Sequence, residues 1–177
     1  MNRLRTAVVG VGYLGNFHSQ KYKALSAQSE LSMELVAVCD QNEAQAKKIG
    51  EALGVSAFTS PKDLIGKVDA VTVATITTAH FEVAKLFLKN GIHVNVEKPI
   101  AMTSPQASEL VELAKKNKVS LAVGHSERFG TIFQKLHSEI KNQNTRWVEL
   151  SRYAPFNKRG SDVSVLHDLM IHDLDLM

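Results

Sequence analysis

Residues 5–15, Arg5-Thr6-Ala7-Val8-Val9-Gly10-Val11-Gly12-Tyr13-Leu14-Gly15, run from a short apolar stretch into glycines spaced G-x-G-x-x-G. Each glycine answers a separate demand. The first permits a tight turn, the second lets the backbone approach a pyrophosphate, and the third lets the following helix pack on the strand. The helix that follows then turns free N–H groups toward the anion. Alone, three glycines also fit a loop with no ligand, so the surroundings decide the reading. Val8 and Val9 suit a buried strand, residues 14–25 a helix, and Leu35-Val36-Ala37-Val38-Cys39 a second strand ending on Asp40. Asp40 stands 25 positions after Gly15, beyond the ~20 usual for an acid that takes the ribose hydroxyls of a bound adenosine. No arginine follows it to accept a 2′-phosphate. NAD is therefore favoured over NADP, with Gly10, Gly12, Tyr13, Leu14, Gly15 and Asp40 as cofactor-binding candidates.

Downstream, the chain alternates strand and helix. Helical spacing over 43–53 meets Gly54, placed to end it. Val55 to Phe58 is a short strand candidate, and a brief helix is expected at 63–65. Asp69-Ala70-Val71-Thr72-Val73-Ala74 is β-branched and apolar enough for a strand buried on both faces. A helix over 77–90 is stopped by Gly91, and a strand over 92–96 is ended by Glu97-Lys98-Pro99. Ser104-Pro105 opens a helix with proline in its first turn, and 120–123 is the sixth strand. Such alternation implies βαβ units in a doubly wound parallel α/β sheet. Residues 1–124 form this domain.

Past Gly124 the pattern changes. A helix is expected over 127–140, a half-exposed strand over 146–153 and a further helix over 163–177. Residues 125–177 read as a linker helix and the incomplete start of a second domain.

Composition excludes several classes. With 44% hydrophobic and 22% charged residues among 177, the chain has the makeup of a globular domain with a sizeable core. A net charge of +3, with lysines dispersed on helix faces and no aromatics interleaved, argues against nucleic acid. Cys39 is the single cysteine, which rules out an intrachain disulfide and a zinc cluster and suggests a buried thiol. No stretch of ~18 apolar residues and no secretory leader is seen. The cytoplasm is the expected compartment, and no metal or membrane partner is expected.

Three groups could carry chemistry. Glu97-Lys98-Pro99 ends a strand at the carboxyl edge of the sheet, where ligands bind in open α/β folds; a surface ion pair before a turn proline fits equally. Thr75 and His80 follow the fourth strand at that edge, and His80 also fits a plain helix start. Asp168 and His172 are four apart, so one helix face would carry both. They are a helix-stabilising pair or a base with its orienting carboxylate.

The glycine loop at Gly10, Asp40 after Val36-Ala37-Val38-Cys39, Glu97-Lys98-Pro99, Arg128-Phe129 after Gly124-His125, and D-x-x-x-H-D over Asp168 to Asp173 occur here in one order. This set resembles the Gfo/Idh/MocA oxidoreductase family. The resemblance implies a Rossmann domain for NAD(P) followed by an α/β substrate domain on a large open sheet. It implies Lys98 as the active-site lysine bonding the reacting hydroxyl, His172 as general base, and Asp168 as its partner. Thr75, His80 and Glu97 are similar to residues around the nicotinamide ribose. His125 stands where the family often has asparagine. Val8 to Tyr22 together with Gly124 to Phe129 further resembles the branch acting on nucleotide-linked amino sugars. The implied activity is hydride transfer between nicotinamide and a secondary hydroxyl of a sugar, nucleotide sugar or cyclitol. A non-catalytic dinucleotide-binding or scaffolding module is the alternative. The resemblance also implies a longer protein, homo-oligomeric when complete, so that this chain is expected to be a truncated form with little turnover.

Overall fold

The computed structural model describes residues 3–28, 31–140, 144, 146–151, 153 and 164–177. The chain divides into two compact units, Met1–Gly124 and His125–Met177.

In the first unit, β1 (Leu4–Val9), β2 (Met33–Cys39), β3 (Ser56–Phe58), β4 (Ala70–Val73), β5 (His93–Val96) and β6 (Leu121–Val123) form one sheet in the order β3-β2-β1-β4-β5-β6. Every pairing is parallel. The helices α1 (Tyr13–Ser26), α2 (Glu43–Leu53), α3 (Thr77–Lys89) and α4 (Ser104–Asn117) supply the crossovers, with a 3₁₀ turn at Pro61–Leu64 before β4. Strand order reverses between β1 and β4, and a doubly wound sheet opens its ligand crevice at that point, outside the carboxyl ends of the strands. This is a Rossmann-type α/β fold.

Period-two alternation sorts the core onto two faces. Ala7 and Val9 of β1, Val71 and Val73 of β4, and Val94 and Val96 of β5 pack with Phe81, Phe87, Leu88 and Leu110 of α3 and α4. Full burial of such side chains contributes about 1.5–3 kcal/mol each. On the opposite face Val8, Leu35 and Val38 pack with Ile49 of α2. Leu35 and Val38 share a face although they are three positions apart. The register between β1 and β2 shifts after Thr6, pairing Thr6 with Leu35 and Ala7 with Ala37. Val36 is thus the extra residue of a bulge, which reverses the alternation.

The helix ends follow local chemistry. Asn42 accepts a hydrogen bond from the Gln45 N–H at the start of α2, and Thr103 accepts one from Gln106 at the start of α4. Gly54 ends α2 at φ 62°, a left-handed conformation.

The second unit differs from its sequence reading in three places. The helix expected over 127–140 is a 3₁₀ turn, Ser126–Phe129, then α5 (Thr131–Ile140), because Gly130 between them is extended at φ −65°, ψ 132°. Residues 146–151 and 153, expected as a strand, carry no strand assignment, since a strand is defined by a ladder and no described segment pairs with them. The final helix opens as a π-helical turn at Leu166–Met170 before α6 (Ile171–Leu176); Val163 lies outside the described residues. No described helix is long and apolar enough to cross a membrane.

Candidate functional site

The glycine loop leaves β1 at the switch point. Gly10 has φ 84°, and a Cβ there would stand 2.7 Å from the Ala74 oxygen and the Thr75 nitrogen; only glycine meets both conditions. Gly15 is packed so closely that its Cβ would lie 1.7 Å from the Gly10 oxygen. A Cβ on Gly12, by contrast, would meet nothing within 4 Å. Gly12 is the N-cap of α1, no side chain caps that end, and its first turn holds no acid. Uncapped N–H groups therefore border open space, the condition for an anion such as a pyrophosphate. Tyr13 and Leu14 form the first turn, with Tyr13 exposed and its ring 5.1 Å from that of Phe17, edge to face.

Asp40, at the end of β2, holds the loop. Its Oδ2 accepts from the Val11 N–H at 2.9 Å and its Oδ1 from the Asn42 N–H at 2.9 Å, while Gln45 donates to the Val11 oxygen at 2.7 Å. A carboxylate offers about four acceptor positions, so two backbone bonds leave capacity for ribose hydroxyls. The residues fit a dinucleotide.

At the ends of β4 and β5 stand Thr75, His80, Glu97 and Lys98. His80 is buried, with Nδ1 2.8 Å from the Pro99 oxygen and Nε2 3.1 Å from the Thr75 oxygen. It ties the loop after β4 to the Lys98-Pro99 turn, where the peptide bond is cis. Glu97 is 7% exposed, and its Oε1 lies 2.7 Å from His18 Nε2 on α1. Lys98 is half-buried. The sheet edge thus brings together Gly10, Gly12, Gly15, Asp40, Thr75, His80, Glu97 and Lys98 within one unit.

The second unit holds its own cluster. Arg128 donates from Nε to Asp175 Oδ2 at 2.6 Å, and from Nη2 to Oδ1. His125 Nδ1 lies 3.6 Å from the same carboxylate. The Arg128 hydrogen bonds hold the Asp175 carboxyl below the usual range against the upward push of burial, with His125 and His172 adding attraction. His172 is on α6 and Asp168 on the π-helical turn before it. The side chain of Asp168 lies outside the described residues. Single π turns within helices are frequent at functional sites.

Two participants escaped the sequence reading. Asp175 had a signal: it falls three residues after His172 on the same helix, in reach of the Arg128 segment. His18 had one too. Residues 93–97 read His-Val-Asn-Val-Glu, a strand whose alternate face is polar and so calls for polar partners on the covering helix.

The residues and the fold define a dinucleotide-binding oxidoreductase domain. Residues 4–125 match the family model described as "Oxidoreductase family, NAD-binding Rossmann fold", and the chain belongs to the Gfo/Idh/MocA family. It is 39% identical to UDP-N-acetylglucosamine 3-dehydrogenase of Acidithiobacillus ferrooxidans over 99% of this chain and 54% of that protein. A solved structure of that enzyme superposes with a TM-score of 0.89 over 99% of this chain and 55% of that one. Myo-inositol 2-dehydrogenase of Thermotoga maritima is 28% identical over 98% of this chain and 53% of that protein. GenD2 from gentamicin A biosynthesis, solved in complex with NAD, is 26% identical with a TM-score of 0.74, over 80% of this chain and 40% of that one. The chain spans about half the length of the curated relatives it matches. Those relatives act on sugars, nucleotide sugars or cyclitols, as the resemblance read from the motifs implies, and the relative at 39% identity falls in the branch that residues 8–22 and 124–129 suggest.

Proposed function

We propose that this protein serves NAD-dependent oxidation of a secondary hydroxyl on a nucleotide-linked amino sugar, with NAD preferred to NADP. The observation that carries the reading is the position of Lys98: it lies just past the end of β5, on the same sheet edge as the open glycine cradle at Gly12. A cation and a cofactor cradle at one crevice suit a reaction in which a hydroxyl becomes a carbonyl.

When bound, the nicotinamide supplies the hydride acceptor. Lys98 donates a hydrogen bond to the reacting oxygen and stabilises its developing negative charge. The family resemblance gives His172 the part of the base that accepts the hydroxyl proton and Asp168 that of its partner; a positioned base contributes about 10²–10⁴ in rate. Thr75 and Glu97 line the nicotinamide end within the first unit, where His80 acts by fixing the turn that carries Lys98, and the family resemblance gives His125 a part in cofactor binding. The cofactor preference rests on Asp40, whose carboxylate repels a 2′-phosphate. Nucleotide-sugar specificity is supported by the 39% identity to a UDP-N-acetylglucosamine 3-dehydrogenase.

The test mixes protein in excess with NAD and UDP-N-acetylglucosamine and reads the keto product by mass spectrometry, so that slow hydride transfer registers. Product that disappears in Lys98→Ala and His172→Ala is expected. NAD binding without product from any nucleotide sugar or cyclitol would replace the enzyme with a dinucleotide-binding module.

A further inference from the structure

On the sheet face that carries α1, the β4–β5 part is polar, whereas the same strands are apolar on the opposite face. Thr72 of β4, Asn95 of β5 and Glu97 just beyond it alternate with Val71, Val73, Val94 and Val96, and they meet His18 and Tyr22 of α1. The Tyr22 hydroxyl lies 2.6 Å from Thr72 Oγ1, and Asn95 Nδ2 donates to that same oxygen at 3.4 Å. His18 stands one helical turn before Tyr22, its ring 6.5 Å from the tyrosine ring.

Glu97 is held from three sides. His18 Nε2 meets Oε1 at 2.7 Å, and the Lys98 N–H donates to Oε2 at 3.3 Å. Gly124 forms the third wall, since a Cβ there would lie 2.8 Å from Cδ and from both carboxylate oxygens. A carboxylate this buried requires hydrogen-bond donors, and His18 supplies one. The bond also spans 79 residues and joins the helix whose N-terminus borders the phosphate cradle to the turn that carries Lys98.

We infer that His18 is a positioning residue: through Glu97 it fixes the carboxyl end of β5 relative to α1, and so builds the half of the site that receives the nicotinamide nucleoside. This rests on the NAD-binding reading above. A doubly wound sheet has two mononucleotide-binding halves. The β1–β3 half, with the glycine loop and Asp40, stands without the His18–Glu97 bond; the β4–β6 half does not.

Calorimetric titration of the whole chain with NAD and with ADP, which lacks the nicotinamide nucleoside, separates the halves. His18→Ala is expected to weaken NAD by about 10-fold or more, the scale of a lost hydrogen bond to a charged group. ADP should change by less than about twofold, as for an independent site. His18→Gln, whose amide nitrogen reaches the position of Nε2, should restore most of the NAD affinity. Should His18→Ala fail to fold, His18→Asn, whose amide falls short of Glu97, gives the same contrast. Unchanged NAD affinity, an equal loss for both ligands, or no rescue by glutamine overturns the inference. Failure of the unsubstituted protein to bind NAD would instead overturn the function on which it rests.

Discussion

The Gly15 backbone approaches Gly10 so closely that a single added methyl would stand 1.7 Å from the Gly10 carbonyl oxygen, whereas the same methyl on Gly12 would meet nothing within 4 Å. The two glycines therefore separate fold from function. Gly15→Ala must push α1 off the strand, an overpacking cost of about 1–3 kcal/mol or more, and should lower the melting temperature and abolish dinucleotide binding together. Gly12→Ala should keep stability within about 0.5 kcal/mol, as a change in open space does, yet weaken binding by filling the cradle. Thermal unfolding and NAD titration on both variants check this; equal destabilisation by the two would contradict it.

Asp40 has two duties, holding the Val11 and Asn42 N–H groups and facing the adenosine ribose. Asp40→Ala should lower NAD affinity by about 10-fold or more, the scale of lost charged hydrogen bonds, and narrow the gap between NAD and NADP. Competition titrations measure both quantities. A preserved gap would move the discrimination to another residue.

Cys39 is 1% exposed, and burial, helped by the nearby Asp40 charge, pushes its thiol up to about 12. Thiolate is the reactive form. Reaction with a disulfide reagent at neutral pH should be slow in the folded protein and rapid in denaturant, and a fast native phase would show that β2 opens readily.

Arg5 donates to both carboxylate oxygens of Asp69, at 3.1 and 2.7 Å, and its backbone N–H adds a bond of 2.9 Å. These bonds hold the Asp69 carboxyl below its usual range. Since the folded pKa is depressed, the stability it contributes is complete above the unfolded value near ~3.9 and is lost as pH falls from there through the folded value. Asp69→Asn should therefore lower the urea midpoint at pH 7 and lower it less at pH 3. The gap should be small, because both side chains are more than a third exposed. A gap independent of pH would remove the ion pair from the account.

Much of the first unit was legible because its signals are local. Helix α2 ends at Gly54, as its spacing implies, and the β-branched run around Val71 suits the buried strand it forms. What was not legible depends on meetings between distant residues. The alternation over 93–97 calls for polar partners and Asp175 falls three after His172, but no spacing names His18 as the partner of Glu97 or Arg128 as that of Asp175. The break at Gly130 was missed because the helical pattern on either side of it is strong enough to read through. The strand expected over 146–153 is not formed by the described residues 146–151 and 153, Arg152 lying outside them, for a related reason: alternation describes a face, and a ladder needs a partner.

The central claim is that the loop from Gly10 to Gly15, with Asp40, binds NAD. Calorimetric titration of the unsubstituted protein with NAD and NADP under one set of conditions tests it most directly. One NAD per chain, bound at least about 10-fold more tightly than NADP as the cost of placing a phosphate against the Asp40 carboxylate, is the predicted result; no binding of either dinucleotide, or tighter binding of NADP, would contradict it.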